Sequence, residues 1–288
     1  MRWTAIGHSE QKGYFTSLME RDALGHAYLL EGPEGVGKHM VARDLAAALL
    51  GGTIPPDASP DAVLLAPGVS ETTGKPTDIP VETVREMKVW AYQRPLYGAA
   101  KVVIIDDADR LSDAAADTIL KVLEEPPPYL YFLLVTALPG SVLPTIRSRC
   151  EAVPFRTLAP AEMTRALAHL NLDADDRALV SAVAAGRPGT AVRLVDDGEL
   201  SSVARCIADF ERALKTGTAE RMLFAARQAE DDDVSRHVRW WVAWVHAKLP
   251  EHPGLAPVAH GLLELDSAVT EPKYNRRLAL ERFVLSLP

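Results

Sequence analysis

The pattern of apolar and polar positions changes once along this chain, close to Phe155. Upstream, short runs in which almost every residue is apolar, at 27–30, 62–65, 101–106 and 131–136, alternate with longer stretches. Those stretches, at 10–22, 40–50, 81–92 and 112–125, carry apolar residues at helical spacing. A strand without polar alternation has both faces covered, which is the condition of a strand inside a parallel sheet flanked by helices. Local punctuation agrees: Gly51 and Gly52 close the second helix, Ser112 is placed to cap the fourth, and Pro126, Pro127 and Pro128 stop it. The 78–80 turn is expected to cap the third. Residues 53–80, rich in Pro, Gly, Ser and Thr, read as loops around the short 62–65 strand.

Downstream of Phe155 the strand pattern disappears. The stretches 160–171, 174–185, 189–197, 199–215, 219–229, 233–248, 255–267 and 273–286 all read as helices, interrupted at Gly186–Gly189 and at Asp197-Gly198. The expected organisation is an α/β parallel-sheet domain at 1–156, a helical lid at 157–200 and a separate all-helical domain at 201–288.

Composition narrows the function classes. A chain of 288 residues with 48% hydrophobic content can bury full cores. Its formal charge of -8 argues against coating nucleic acid through bulk electrostatics and leaves DNA contact to a local face or to partners. Cys150 and Cys206 are too few for a disulfide framework or a thiolate zinc site, and fit a reduced, cytoplasmic setting. No basic leader followed by an apolar run opens the chain, and the longest apolar stretches, FLLVTAL and VRWWVAWV, fall far short of a membrane span. The expectation is a soluble cytoplasmic protein with no membrane partner.

Residues 28–44, YLLEGPEGVGKHMVARD, are a short apolar strand, a Gly-rich loop ending in Lys38, and a helix. Gly32, Gly35 and Gly37 let successive backbone N–H groups converge on phosphate oxygens, with Lys38 and the helix N-terminus adding positive potential. The bland alternative is a Gly-rich turn with no ligand. His39 stands where a working phosphate loop has the Ser or Thr that holds Mg²⁺, and imidazole is a poor substitute for a hard oxygen ligand.

The 101–106 strand delivers Asp106 and Asp107 to the same end of the sheet, followed by Asp109, and three carboxylates so close require a cation, a positive side chain or solvent to offset them. A solvated acidic loop is the bland reading. Thr136, ending the next strand, can bond either a water beside a terminal phosphate or its neighbouring backbone. Arg147 and Arg149 in SVLPTIRSRC precede the last strand, where a guanidinium can project toward a neighbouring subunit's phosphates or pair with a local acid. His26 reads as a packed or capping group, and the other histidines show no ligand spacing. Trp240, Trp241 and Trp244 on one helix read as core rather than base-stacking residues, because few basic residues interleave with them.

Taken in order, IGHSEQ (6–11), GHAYLLEGPEGVGK (25–38), IPVETVRE (79–86), YGAAKVVIIDDADRLSDAAADTILKVLEEPP (97–127), LPTIRSRC (143–150), GRPGTAV (186–192) and NRRLALERFVL (275–285) resemble a known family. It is the clamp-loader clade of the AAA+ superfamily, and within it the delta-prime type of bacterial DNA polymerase III. The resemblance implies a RecA-like P-loop domain, a helical lid and a helical collar that holds a heteropentameric ring. The implied partners are gamma/tau and delta subunits, with the sliding clamp and primed DNA reached through the complex. It also implies a stator that does not hydrolyse ATP itself. By the same resemblance Gly32, Gly35, Gly37 and Lys38 form the P-loop, and Asp106 and Asp107 the Walker B pair. Thr136 takes the first sensor position, and Arg149 is a finger acting on a neighbouring ATPase subunit.

The departures from active relatives are His39, Asp107 in place of Glu, and Gly189 in place of the second sensor Arg. They imply a vestigial site holding ATP or ADP weakly if at all. No four-cysteine module follows the P-loop helix, residues 51–61 resembling its truncated remnant, so no zinc or other metal is expected. Two readings from other classes stand beside this one: a self-contained P-loop ATPase or kinase using Lys38 and Asp106, and a scaffold with an empty loop.

Overall fold

The four apolar runs of the first half become strands β1 (Ala27–Glu31), β2 (Ala62–Leu65), β3 (Lys101–Ile105) and β4 (Leu130–Thr136), and the last strand expected after Arg149 is β5 (Glu151–Pro154). Among the described residues they make one parallel sheet in the order β2-β3-β4-β1-β5. This computed structural model describes residues 2–287 apart from 53, 71, 73, 75, 272 and 273. The chain divides into two compact units, Met1–Leu158 and Ala159–Pro288.

Period-two alternation sorts the buried strand residues onto two faces. Ala27 and Leu29 of β1, Val103 and Ile105 of β3, and Leu130, Phe132 and Leu134 of β4 share one core with α3 (Val81–Ala91) and α4 (Asp113–Glu124). Tyr28, Leu30, Val102, Ile104, Leu133 and Val135 enter the other core, with Phe15 of α1 (Ser9–Glu20) and Val41, Ala42, Leu45 and Ala46 of α2 (Lys38–Leu49). Both faces are apolar because both are covered, and each fully buried Leu, Ile or Val contributes about 1.5–3 kcal/mol of transfer free energy. The N-terminal segment is pinned to α2 by Asp44, whose carboxylate accepts bonds from the Thr4 and Ala5 N–H groups and the Thr4 hydroxyl.

The expected caps met mixed outcomes. Ser112 Oγ accepts the Ala115 N–H at 3.3 Å and starts α4 as expected, whereas the residue before α3 is Pro80, which gives no side-chain cap, contrary to the cap expected from the 78–80 turn. The periodicity missed α5 (Pro144–Arg147), whose four residues are too few to show a 3.6-residue repeat.

The second unit carries α6 (Pro160–Leu167), α7 (Ala174–Ala184), α8 (Pro188–Asp196), α9 (Leu200–Lys215), α10 (Thr218–Ala229), α11 (Val234–Lys248), α12 (Ala256–Thr270) and α13 (Arg276–Ser286). The first of these stops at Leu167 rather than the expected 171, as Leu170 N–H turns back to Leu167 O. Asp173 caps α7 and Asn275 caps α13, each accepting a backbone N–H three residues on; of the expected 273–286 helix, residue 273 lies outside the described residues. Val183 and Leu194 from the expected lid stretch share one core with Val203, Phe210, Trp241, Leu262 and Phe283 from the stretch beyond residue 200. Trp240, Trp241 and Trp244 are buried in it, as read from sequence. Trp241 stacks on Phe210 with centroids 4.9 Å apart and donates its indole N–H to Cys206 Sγ at 3.2 Å. Burial pushes the Cys206 thiol up to about 12. No helix of the described residues is long and apolar enough to cross a membrane.

Candidate functional site

Parallel pairing puts the ends of β1, β3 and β4 at one edge of the sheet, where Glu31 is in register with Thr136 and Ile105 with Leu134. The loop after β1, Asp106 after β3, and Thr136 at the end of β4 are therefore gathered from three separate segments. The loop's three glycines all have positive φ, 147° at Gly32, 76° at Gly35 and 106° at Gly37, where side-chain-bearing residues are strained. Gly32 also passes so close to the neighbouring chain that a Cβ there would lie 2.1 Å from Phe155 O. Gly37 is the residue before α2, so the loop feeds directly into the N-terminus of a twelve-residue helix.

Lys38 is 5% exposed, and its ammonium donates to Gly32 O at 2.6 Å and Pro33 O at 2.7 Å. Burial lowers its pKa, opposed by the negative charges of Asp106, Asp107, Glu34 and Asp109. The lysine is folded over the cradle it is expected to serve. His8, from the IGHSEQ string, places Nε2 2.6 Å from Val36 O and its ring edge-on to Phe155, tying the N-terminal segment to the loop. Sequence reading had singled out the string but not this residue.

His39 meets Asp106, with Nδ1 and Oδ2 3.0 Å apart and both side chains about one-third exposed. The two are close enough for an ion pair when the imidazole is protonated. Burial alone would raise the Asp106 pKa, but His39, the Asp107 N–H and Lys38 together bring it below the ordinary value. Asp107 goes the other way. Burial and then the charges of Asp106 and Asp109 raise its pKa, and its backbone is in the left-handed region at φ 47°. Asp109 Oδ1 accepts a hydrogen bond from the fully buried Thr136 hydroxyl, whose oxygen accepts one from the Leu138 N–H at 3.0 Å. Thr136 therefore bonds its neighbouring backbone, as one of its two readings has it, with Asp109 as a further partner. The positive and donor groups around the three carboxylates include Lys38 and His39 at Asp106, Arg110 at Asp107 and Thr136 at Asp109.

Magnesium, which a P-loop ordinarily takes together with nucleotide, does not fit these residues. The hydroxyl that would hold it is replaced by an imidazole, and the carboxylate that would support it is in contact with that imidazole. Among the described residues no group of three or more His, Cys, Asp or Glu is arranged to hold a metal ion.

Arg149 lies apart from this cluster in sequence and follows α5. Its Nη2 donates to Glu124 Oε1 at 2.6 Å and its Nη1 to Thr145 O at 3.0 Å, with the side chain about one-third exposed. Of the two sequence readings, the pairing with a local acid is the one this single chain displays, with the guanidinium about one-third exposed.

A family model described as DNA polymerase III, delta subunit, matches residues 7–159. The chain is 34% identical over 176 residues to the DNA polymerase III subunit gamma/tau of Mycobacterium tuberculosis, a match covering 57% of this chain and 30% of that protein. It is 33% identical over 224 residues to the DNA polymerase III subunit delta' of Pseudomonas aeruginosa, covering 71% of this chain and 66% of that one. The chain therefore spans less than a third of the gamma/tau relative's length and about two thirds of the delta' relative's. Among solved structures, a DNA polymerase III gamma subunit-related protein of Thermotoga maritima superposes with a TM-score of 0.50 at 19% identity. That match covers 94% of this chain and 97% of the other, and speaks to the fold alone.

Proposed function

This chain belongs to the DNA polymerase III delta-subunit family, whose model spans more than half of it, and from that premise we propose that it is a delta-prime-type stator of a clamp loader. In this reading residues 1–156 are the AAA+ P-loop domain, 157–200 the lid and 201–288 the collar through which the subunit joins gamma/tau and delta partners. The ring opens a sliding clamp and seats it on primed DNA, and this subunit supplies Arg149 to the nucleotide site of an adjacent ATPase subunit instead of firing its own.

The observation that carries the reading is the contrast between the two sites. At the P-loop, His39 stands in the hydroxyl's place with its ring against Asp106, and the Thr136 hydroxyl is committed to Asp109. Such a site lacks the means to orient water or hold the metal that phosphoryl transfer uses. Arg149 is about one-third exposed and keeps the planar guanidinium that suits a phosphate, which in this reading it takes in exchange for Glu124. The same contrast counts against a self-contained ATPase or kinase.

Replacing Arg149 with Ala in a ring reconstituted with gamma/tau and delta subunits is expected to lower ATP turnover, by up to about 10³-fold, while the subunits still assemble. Ring ATPase unchanged by Arg149→Ala would refute the role in trans.

A further inference from the structure

We propose that Glu124 is a positioning residue for Arg149: in the lone chain its carboxylate holds the guanidinium, and in a ring it competes for that group with a neighbouring subunit's phosphate. The inference rests on the role in trans proposed above and adds the residue that sets how readily Arg149 is released. Both partners sit on fixed backbone. Leu123, the residue before Glu124, is 2% exposed, Ile146 of α5 is 1% exposed, and the two belong to one core. Glu124 is the last residue of α4, and Arg149 follows α5 by two residues with its N–H bonded to Ile146 O at 3.0 Å. From these two ends the side chains meet at 2.6 Å, Glu124 about half exposed and Arg149 about one-third.

The carboxylate is poorly placed for the helix that carries it. The C-terminal end of an α-helix bears partial negative charge, and a second acid, Glu125, follows directly. Arg149 offsets that charge, so the guanidinium and not the helix accounts for a carboxylate at this position. The grip is partial. Nη2 makes one bond to Glu124 Oε1 rather than a two-pronged pair, while Nη1 turns to Thr145 O at 3.0 Å and Ser148 Oγ at 3.4 Å. Among the described residues Nε has no hydrogen-bond partner. A single ion pair this open to solvent is weak enough to exchange, and an incoming phosphate has to displace it before both prongs of the fork can engage. Glu124 therefore lowers the fraction of Arg149 that is free to act, and the apparent affinity of the adjacent site for its nucleotide falls by that fraction.

Turnover against ATP concentration, in a ring reconstituted from this chain with gamma/tau and delta subunits, tests this with the native chain, Glu124→Gln, Arg149→Ala and the double variant. Glu124→Gln is expected to lower the ATP concentration at half-maximal turnover by about two- to fivefold, the weight of an exposed ion pair, with maximal turnover unchanged. Glu125→Gln removes the same charge one residue along and is expected to leave both quantities where they are. In the Arg149→Ala background Glu124→Gln is expected to change nothing. Circular dichroism melting of the free Glu124→Gln chain is expected to match the native one, because the lost pair is offset by relief at the helix end. A half-maximal concentration unmoved by Glu124→Gln, a fall in maximal turnover, an equal shift from Glu125→Gln, or a shift that persists without Arg149 would each overturn the proposal. If Arg149→Ala alone still lowers turnover, any of these results removes Glu124 and leaves the trans role standing. Turnover indifferent to Arg149→Ala removes both.

Discussion

Gly32→Ala is the sharpest test of how the phosphate loop is seated. A Cβ at residue 32 would lie 2.1 Å from Phe155 O, 3.0 Å from its carbonyl carbon and 3.2 Å from its Cβ. Ordinary C···O contacts begin near about 3.3 Å, so the overlap exceeds roughly 1 Å and falls on backbone rather than on a flexible side chain. Neither partner can yield cheaply. Phe155 N–H bonds Glu31 O at 2.7 Å while its ring is 2% exposed, and Gly32 N–H bonds Thr136 O. The φ of 147° adds backbone strain of about 1–3 kcal/mol, and forced repacking about 1–3 kcal/mol more. A total near 2–6 kcal/mol is a large part of the roughly 5–15 kcal/mol that holds a domain folded. For a unit of this size it corresponds to a fall in Tm of roughly 5–20 °C. Differential scanning calorimetry reads the shift, and hydrogen exchange at the β1 amides assigns it to the sheet unit. Gly140→Ala, at a glycine with open space around it and ordinary φ, is the control and is expected to stay within about 0.5 kcal/mol. A Gly32→Ala protein melting within about 1 °C of the native one would refute the reasoning.

The acidic cluster makes a prediction of opposite signs. Asp107 has a raised folded pKa, so the stability it contributes is fully present below its unfolded value and is lost as pH rises through the folded one. Asp107→Asn is accordingly expected to be the more stable protein at neutral pH, with the gap closing toward pH 3 in urea titrations. Asp106 has a lowered folded pKa, so its contribution is present above the unfolded value and lost as pH falls through the folded one, and Asp106→Asn should cost stability at neutral pH. Ser112→Ala removes the acceptor for the Ala115 N–H and is expected to cost about 1 kcal/mol, read as a shift in urea midpoint with unchanged m-value.

The sheet was legible because its strands are apolar on both faces and its helices repeat at 3.6, which leaves 27–30 or 131–136 few alternatives to a covered strand. Gly32, Gly35, Gly37 and Lys38 were legible as a unit because all the geometry lies within seven consecutive residues. What escaped depends on contacts between distant segments. His39 and Asp106 are 67 positions apart, Asp109 and Thr136 are 27 apart, and Glu124 and Arg149 are 25 apart, so no local pattern reports their meeting. Sequence reading foresaw that the carboxylates needed an offsetting charge and that His39 was the anomaly, but only the pairing of β3, β4 and β1 puts one beside the other. Lys101 escaped for a related reason. It opens β3 as an apparent interruption of an apolar run, yet it is 2% exposed, with its ammonium over the Trp90 ring and bonded to Trp90 O.

Three of the five tryptophans sit on α11, within the core of the helical unit, and Trp241 lies against a thiol and stacked on Phe210. Intrinsic emission is therefore weighted toward that unit, and the sulfur contact makes Trp241 a candidate for quenching that lifts when its helix opens. Loss of the sheet with the helices intact would move the ellipticity and the calorimetric trace more than the fluorescence. A difference between those signals on heating would reveal whether the two compact units melt as one.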